Sequence, residues 1–513
     1  MNRLINFRSC ARNIDDGTFF LCRRLAQTDT SMTLKSREHQ KFSRMAEVDP
    51  EAEFSPDHSP AAKAVARANR VHLTLSHKPG VPLGEVEVER LVNGMLVASV
   101  PTEFPAYHVQ LAVKAGPRYE EPWSSGASHV TRRMLGLASK PFRFAVNQNR
   151  TLQQVGANVE FRGLRELNAY SMSHYKFRDE AVDIAATAFA FASTQPAFYP
   201  WEIKRNAELI RSDLAHIRGS TAFLAERFHS VAYKTGLANS LFCPEHRVGE
   251  VNADVLEEYF AQFYTPDRFA LVGVGLPMAT MKDLAHKLCY LEPKQLPQAP
   301  ASQWRGGECR YDNGNPTVQM LIGVEGRPLG SADSAAQTVL TALLCGGPGL
   351  LWDSGRLSPI GAAAASAVKS SAPCAVSGVN LQYSDSGVLG FHIICGYEDA
   401  GSVAKAVAGA FRQLARSGVA EADVNSAKAV AGRLAAEAKL QPQDRLTELA
   451  NRLLHSQPGP DGIPVVDDAT DESAIAKVTA EQVNQLLKSL LKSSPAMASM
   501  GRLDTVPFKD ELF

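Results

Sequence analysis

The densest group of residues in this chain able to do metal or acid–base chemistry is Gly126-Ala127-Ser128-His129-Val130-Thr131-Arg132-Arg133. It opens a helix, so the imidazole at 129 meets the side chains three and four residues on, about one turn away. Two histidines at that spacing with a glutamate beside them hold Zn²⁺ and activate its bound water. Here the two later places are Arg132 and Arg133. A guanidinium has no lone pair to give a metal and stays cationic at any relevant pH. Two of them within a turn of a lone imidazole repel Zn²⁺. The segment therefore predicts no metal, no catalytic group and a packed or capped His129.

Other candidate chemistry fails on spacing. The eight cysteines at 10, 22, 243, 289, 309, 345, 374 and 395 form no CxxC pair, which excludes zinc-ribbon, thioredoxin-like and haem-attachment readings. Scattered thiols in a chain of this length fit a reducing compartment. Gly346-Gly347-Pro348-Gly349 follows a helix and lacks the Gly-Lys-Ser/Thr ending of a phosphate loop; it reads as a helix-stopping turn. No G-x-S-x-G elbow is present. Lys509-Asp-Glu-Leu512 spells a retention signal, but Phe513 follows it and such signals are read at a free C-terminus. The Arg205, Arg211 and Arg218 series reads as a solvated helix face.

The elements that position these residues repeat. Strands are expected at 86–100, around a tight Asn93-Gly94 hairpin, and at 107–114; a helix then follows Ser124 and Ser125 as N-caps. Strands at 158–162 and 166–175 precede a helix at 179–193, a long helix from Pro200 to Ile217, two more helices and a strand at 269–274. The order recurs with strands at 317–324, 375–383 and 388–395, a helix from Ala400 to Ser417 stopped by Gly418, two helices within 421–456, a capping box at Thr479-Ala480-Glu481-Gln482 and a last strand at 496–500. This is a duplicated α+β architecture, not a doubly wound one, because hairpins dominate. The expected divisions are 85–290 and 308–513, joined by 291–307. Residues 46–84 form a Pro-rich linker, and 1–45 hold a basic segment. In that segment Leu4, Phe7, Ala11 and Ile14 share a helical face beside Arg8 and Arg12, the pattern of a mitochondrial targeting sequence.

The 513 residues carry 54 Lys+Arg and 54 Asp+Glu. Such neutrality argues against a nucleic-acid binder with a broad cationic face, and no apolar run of membrane-spanning length occurs.

In its context, after a strand and Gly116-Pro117-Arg118-Tyr119-Glu120, the box resembles that of the M16 (pitrilysin and mitochondrial processing peptidase) metallopeptidase family, which reads H-x-x-E-H. On that resemblance His129 stands at the first ligand, Arg132 at the glutamate and Arg133 at the second histidine. The third ligand falls on or near Asp213 and its acidic helper on Asn206. Three segments narrow the resemblance: Gly236-Leu-Ala-Asn-Ser-Leu-Phe-Cys-Pro-Glu-His-Arg-Val-Gly249, Gln382-Tyr-Ser-Asp-Ser-Gly-Val-Leu-Gly-Phe391 and Pro507-Phe-Lys-Asp-Glu-Leu512. They are similar to the non-catalytic branch of the family that serves as core subunits of the mitochondrial cytochrome bc1 complex (complex III).

The resemblance implies two M16 (LuxS/MPP-like) domains, each a mainly antiparallel sheet covered by helices. It implies no cofactor and no catalytic residue, with His129, Arg132, Arg133 and Asp213 as the degenerate box. It implies assembly with core protein 1, cytochrome b, cytochrome c1 and the Rieske protein, peripheral on the matrix side of the inner membrane. The alternative it leaves is a processing-peptidase α-like subunit that binds presequences for a catalytic β partner.

Overall fold

The structure, a computed structural model, describes residues 86–512 apart from 103–105, 176–178, 289–299, 346–357, 371, 457–463 and 465–467. The expected targeting segment, the linker at 46–84 and the glycine run at 346–349 lie outside the described residues.

The first repeat runs β1 (Glu87–Arg90), β2 (Leu96–Val100), β3 (Ala106–Val113), α1 (Ala127–Met134), α2 (Ala145–Val155), β4 (Asn158–Gly163), β5 (Asn168–Tyr175), α3 (Asp179–Thr194), α4 (Pro200–Ile217), α5 (Thr221–Ala232), α6 (Ala253–Phe263), β6 (Phe269–Val274) and α7 (Met278–Leu288). The second runs β7 (Gly307–Asp312), β8 (Thr317–Gly326), α8 (Ser334–Cys345), α9 (Pro359–Ala367), β9 (Ala375–Gln382), β10 (Gly387–Gly396), α10 (Ala400–Ser417), α11 (Glu421–Leu440), α12 (Pro442–His455), α13 (Asp468–Lys477), α14 (Ala480–Leu490), β11 (Ala496–Gly501) and α15 (Lys509–Leu512).

The duplication holds down to strand order. The first sheet is β1-β2-β6-β3-β5-β4 and the second β7-β11-β8-β10-β9. Each contains one parallel pair, β2 with β6 and β7 with β11, and is otherwise antiparallel. The expectation of mainly antiparallel sheets under helices is met. Helices α2, α7, α9 and α13 were not anticipated. In α2 the polar run Asn147–Arg150 hides the period, and only Gln148 and Leu152 are buried.

Alternation along the strands explains why both faces are covered. In the first sheet Met95, Val97, Tyr107, Val109, Leu111 and Leu271 point into a core with α1, α3, α4, α6 and α7. Their neighbours Leu96, Ala98, Val100, Ala112, Ala270 and Val272 point the other way. There they meet α12, a helix of the second repeat, whose Leu446, Leu449, Ala450, Leu453 and Leu454 form one apolar stripe. The exchange is reciprocal. Leu224, Phe228 and Ala232 of α5, from the first repeat, pack on Leu321, Val388, Ala496, Ala498 and Met500 of the second sheet. Each repeat thus buries the outer face of its sheet with the other's helix. At about 1.5–3 kcal/mol per fully buried large aliphatic side chain, each contact contributes on the order of 10 kcal/mol before entropy.

Buried polar bonds pin the junction. Arg118 pairs with Glu166 of its own repeat and with Asp385 of the other. Ser384 donates to Glu166 from its amide at 3.0 Å and from its hydroxyl at 2.6 Å. His229 of α5 and the Tyr383 hydroxyl are 2.7 Å apart. The Asp385-Ser386-Gly387 turn, expected only as a hairpin tip, therefore ties the repeats together.

Candidate functional site

The segment expected to be a degenerate box lies on α1, and its start differs from expectation. Ser124 and Ser125 do not cap the helix. Ser124 instead closes a capping box with Glu121 around a 3₁₀ turn at Pro122–Ser124. The N-cap is Gly126, at φ +85°, a left-handed backbone that a side chain would strain; a Cβ there would also meet Cys243 Sγ. Capping comes from six residues upstream. The Glu120 carboxylate accepts the Gly126 amide at 2.8 Å and the Ser128 amide at 2.7 Å. Burial pushes its pKa up to about 7, against the pull of those amides and of Arg132 and Arg247.

His129 is buried beneath the loop carrying Leu241, Phe242 and Cys243. The Cys243 amide donates to its Nδ1 at 3.1 Å, and Phe242 meets the ring edge-on, centroids 5.6 Å apart. Burial, then Arg132 and Arg133, hold the imidazole pKa well below its ordinary range, so it is neutral. A neutral ring whose Nδ1 accepts a hydrogen bond carries its proton on Nε2. Neither nitrogen then keeps a lone pair for a metal.

Arg132 turns inward and donates to the Leu241 carbonyl. Its guanidinium fills the space over Gly163, the last residue of β4, where a Cβ would collide with it. Burial lowers its pKa to about 10, with Glu120 the largest opposing charge, so it stays cationic at neutral pH. Arg133 points along α1 to α4 and forms an ion pair with Asp213. The Asp213 side chain is 8% exposed and that of Arg133 35%. Asn206, two turns earlier on α4, donates to the Arg133 carbonyl at 3.3 Å and lies 3.1 Å from Met134 sulfur. The fold thus sets Arg133 against Asp213 and Asn206, while Arg132 turns to the Leu241 carbonyl and His129 to the Cys243 amide.

A bound zinc does not fit this donor set: the one imidazole has Nδ1 accepting the Cys243 amide and its proton on Nε2, and two guanidiniums stand within a turn of it. Among the described residues no group of three or more His, Cys, Asp or Glu is placed to hold a metal. Glu120, Gly163 and the Leu241–Cys243 loop were missed as parts of this site. For Glu120 and the loop the signal was present, since both lie in segments singled out in the sequence; for Gly163 there was none.

The remaining motifs are structural. Arg211 pairs with Glu208 and Arg218 with Glu245 in partly exposed pairs, as a solvated face would. Lys509–Leu512 is a one-turn helix with Leu512 fully buried and the Lys509 amide bonded to Glu308 at 2.9 Å.

Residues 96–245 match the model described as insulinase (peptidase family M16), and residues 250–430 match that of the peptidase M16 inactive domain. The cytochrome b-c1 complex subunit 2, mitochondrial, of Mus musculus is 29% identical over 439 residues, 84% of this chain and 94% of that protein. The subunit of the same name from Rattus norvegicus is 29% identical over 449 residues, 86% and 95% of the two chains. The mitochondrial-processing peptidase subunit alpha of Solanum tuberosum is 28% identical over 273 residues, about half of each chain. Two family models in succession across a duplicated fold, and similarity running nearly the whole length of these subunits, lead to one conclusion: the chain belongs to the M16 peptidase family.

Proposed function

We propose that this chain is a non-catalytic core subunit of mitochondrial ubiquinol–cytochrome c reductase, of the core protein 2 kind. The observation that carries the reading is the self-filled box. Arg133 neutralises Asp213, and Arg132 occupies the place of the general base. The similarity to complex III subunits over 94% of their length supports the assembly role. The chain acts by contact, pairing with core protein 1 and holding cytochrome b, cytochrome c1 and the Rieske protein in the complex. It sits peripherally on the matrix side of the inner membrane. Among the described residues no helix is long and apolar enough to cross a membrane.

A processing-peptidase α-like role is the second reading, favoured by the shorter matches to such subunits. Charge weighs against it. Presequences are Arg-rich, and from Pro122 to Val159 the chain has five cations and no acid.

Depletion of the chain tests the proposal. Partner subunits should be degraded or trapped in subcomplexes, because their large interfaces lose cover. Changing Arg132 and Arg133 together to Ala should leave cytochrome c reduction per assembled complex within about two-fold, roughly 0.4 kcal/mol in barrier. Normal assembly after depletion refutes the scaffold role. A hundred-fold loss of turnover in the double mutant, with assembly intact, refutes the inactive box.

A further inference from the structure

Two joined segments of the first repeat are rich in exposed cations and hold large apolar side chains in water. The loop after α1 is fastened to the loop before α4: Ser139 bridges Pro196, the Lys140 amide donates to the Gln195 carbonyl at 2.8 Å, and the Ala197 amide to the Ala138 carbonyl at 3.1 Å. This joins the loop that leads into α2 to the loop that leads into α4. Phe144 is 68% exposed, Val146 72% and Trp201 65%. Trp201 stacks on Tyr199 with centroids 4.4 Å apart.

The same two segments carry Lys140, Arg143, Arg150, Lys204 and Arg205, all exposed. Among the described residues none of the five is paired with a carboxylate. Of the acids on α4, Glu202 is partly exposed and accepts the Ala138 amide at 3.3 Å, Glu208 pairs with Arg211, and Asp213 with Arg133.

We propose that these joined segments bind an anionic phospholipid surface directly. Tryptophan, tyrosine and phenylalanine favour the headgroup level of a bilayer. Each lysine or arginine near an anionic leaflet raises partition roughly five-fold. A protein partner is read through charges of both signs, and lysine is depleted at such contacts. Five exposed cations against one partly exposed carboxylate, Glu202, with two lysines among them, match a fluid anionic surface better. The inference stands apart from the complex III reading, which needs no lipid contact by this chain.

The test is co-sedimentation of the full chain with vesicles of phosphatidylcholine alone or mixed with phosphatidylglycerol. The parent should bind the mixed vesicles at low salt, lose them at high salt, and ignore phosphatidylcholine. Reversing charge in the triple variant Lys140→Glu, Arg143→Glu, Lys204→Glu should cut binding by about a hundred-fold or more. Phe144→Ser with Trp201→Ser should weaken it by about ten-fold. All variants keep the basic N-terminal segment, so their difference from the parent reports these two segments alone, and thermal melts confirm folding. Variants that bind like the parent, or equal binding to phosphatidylcholine, overturn the proposal. So does a triple variant that keeps the vesicles but loses its place in complex III on native gels, which would assign the two segments to an acidic protein.

Discussion

Replacing Arg133 by Ala should destabilise the protein through the carboxylate it leaves behind. Asp213 keeps 8% of its side chain in water and faces Arg133 as its charge partner. At an effective dielectric of about 20, unit charges about 4 Å apart attract by roughly 4 kcal/mol. Arg133 retains about a third of its side-chain exposure, so solvent screens the pair, and the desolvation of Asp213 offsets part of the rest. A net coupling of about 1–2 kcal/mol remains. Arg133→Ala alone should cost more, about 2–3 kcal/mol, because it strands a buried charge. Arg133 also makes other contacts, so the single mutant does not isolate the pair and a double-mutant cycle does. Arg133→Ala, Asp213→Asn and the double variant are unfolded in urea and their free energies compared. The double variant should be more stable than Arg133→Ala alone. Additive costs, with coupling below about 0.3 kcal/mol, would refute the idea that Arg133 acts as the resident cation of the box.

The other predictions concern the same helix. Glu120 has a folded pKa raised above its unfolded one, so the stability it contributes is full below about pH 4.5 and is lost as pH rises through about 7. Glu120→Gln should flatten that slope in urea melts across the same window. Gly163→Ala places a methyl group on the Arg132 guanidinium and should cost about 1–3 kcal/mol by overpacking; a Tm equal to the parent's would contradict the packing. Elemental analysis of the dialysed full chain should find well under one zinc per molecule, and Arg132→Glu with Arg133→His should not restore a stoichiometric site, because Cys243 still holds His129 Nδ1.

Strand and helix periods carried most of the architecture. The strand Phe269–Val274 and the helices Pro200–Ile217 and Ala400–Ser417 fall where Pro200, Gly418 and the apolar pattern put them. What the pattern does not contain is which helix covers which sheet. Both faces of β2 and β6 are apolar, so the sequence announces a buried strand without saying that Leu446 and Leu449 come from the other repeat to bury it. The chemical loss in the box was visible as residue types at 132 and 133. Its consequences were not: the helix cap passes to Glu120 through space, and the amide that occupies His129 belongs to Cys243, 114 positions along the chain. Local signals favoured Ser124 and Ser125 as caps, and the left-handed Gly126 displaced them.

The helix exchange also sets when this protein can fold as it leaves the ribosome. The strands of the first sheet are complete at Val274, yet the outer face of Leu96, Ala98, Val100 and Val272 waits for α12, which begins at Pro442. At roughly 5–20 residues per second, the stretch between them takes on the order of ten seconds or more to emerge. Helix α5 waits longer, since its seat includes Ala496, Ala498 and Met500 of the last strand. The first exchanged contact is whole only once Leu454 has emerged, and the second only once Met500 has. A nascent chain thus exposes an apolar sheet face and an apolar helix face at once, each complementary to a surface of another copy, and two chains caught at that stage can trade helices with each other instead of within themselves.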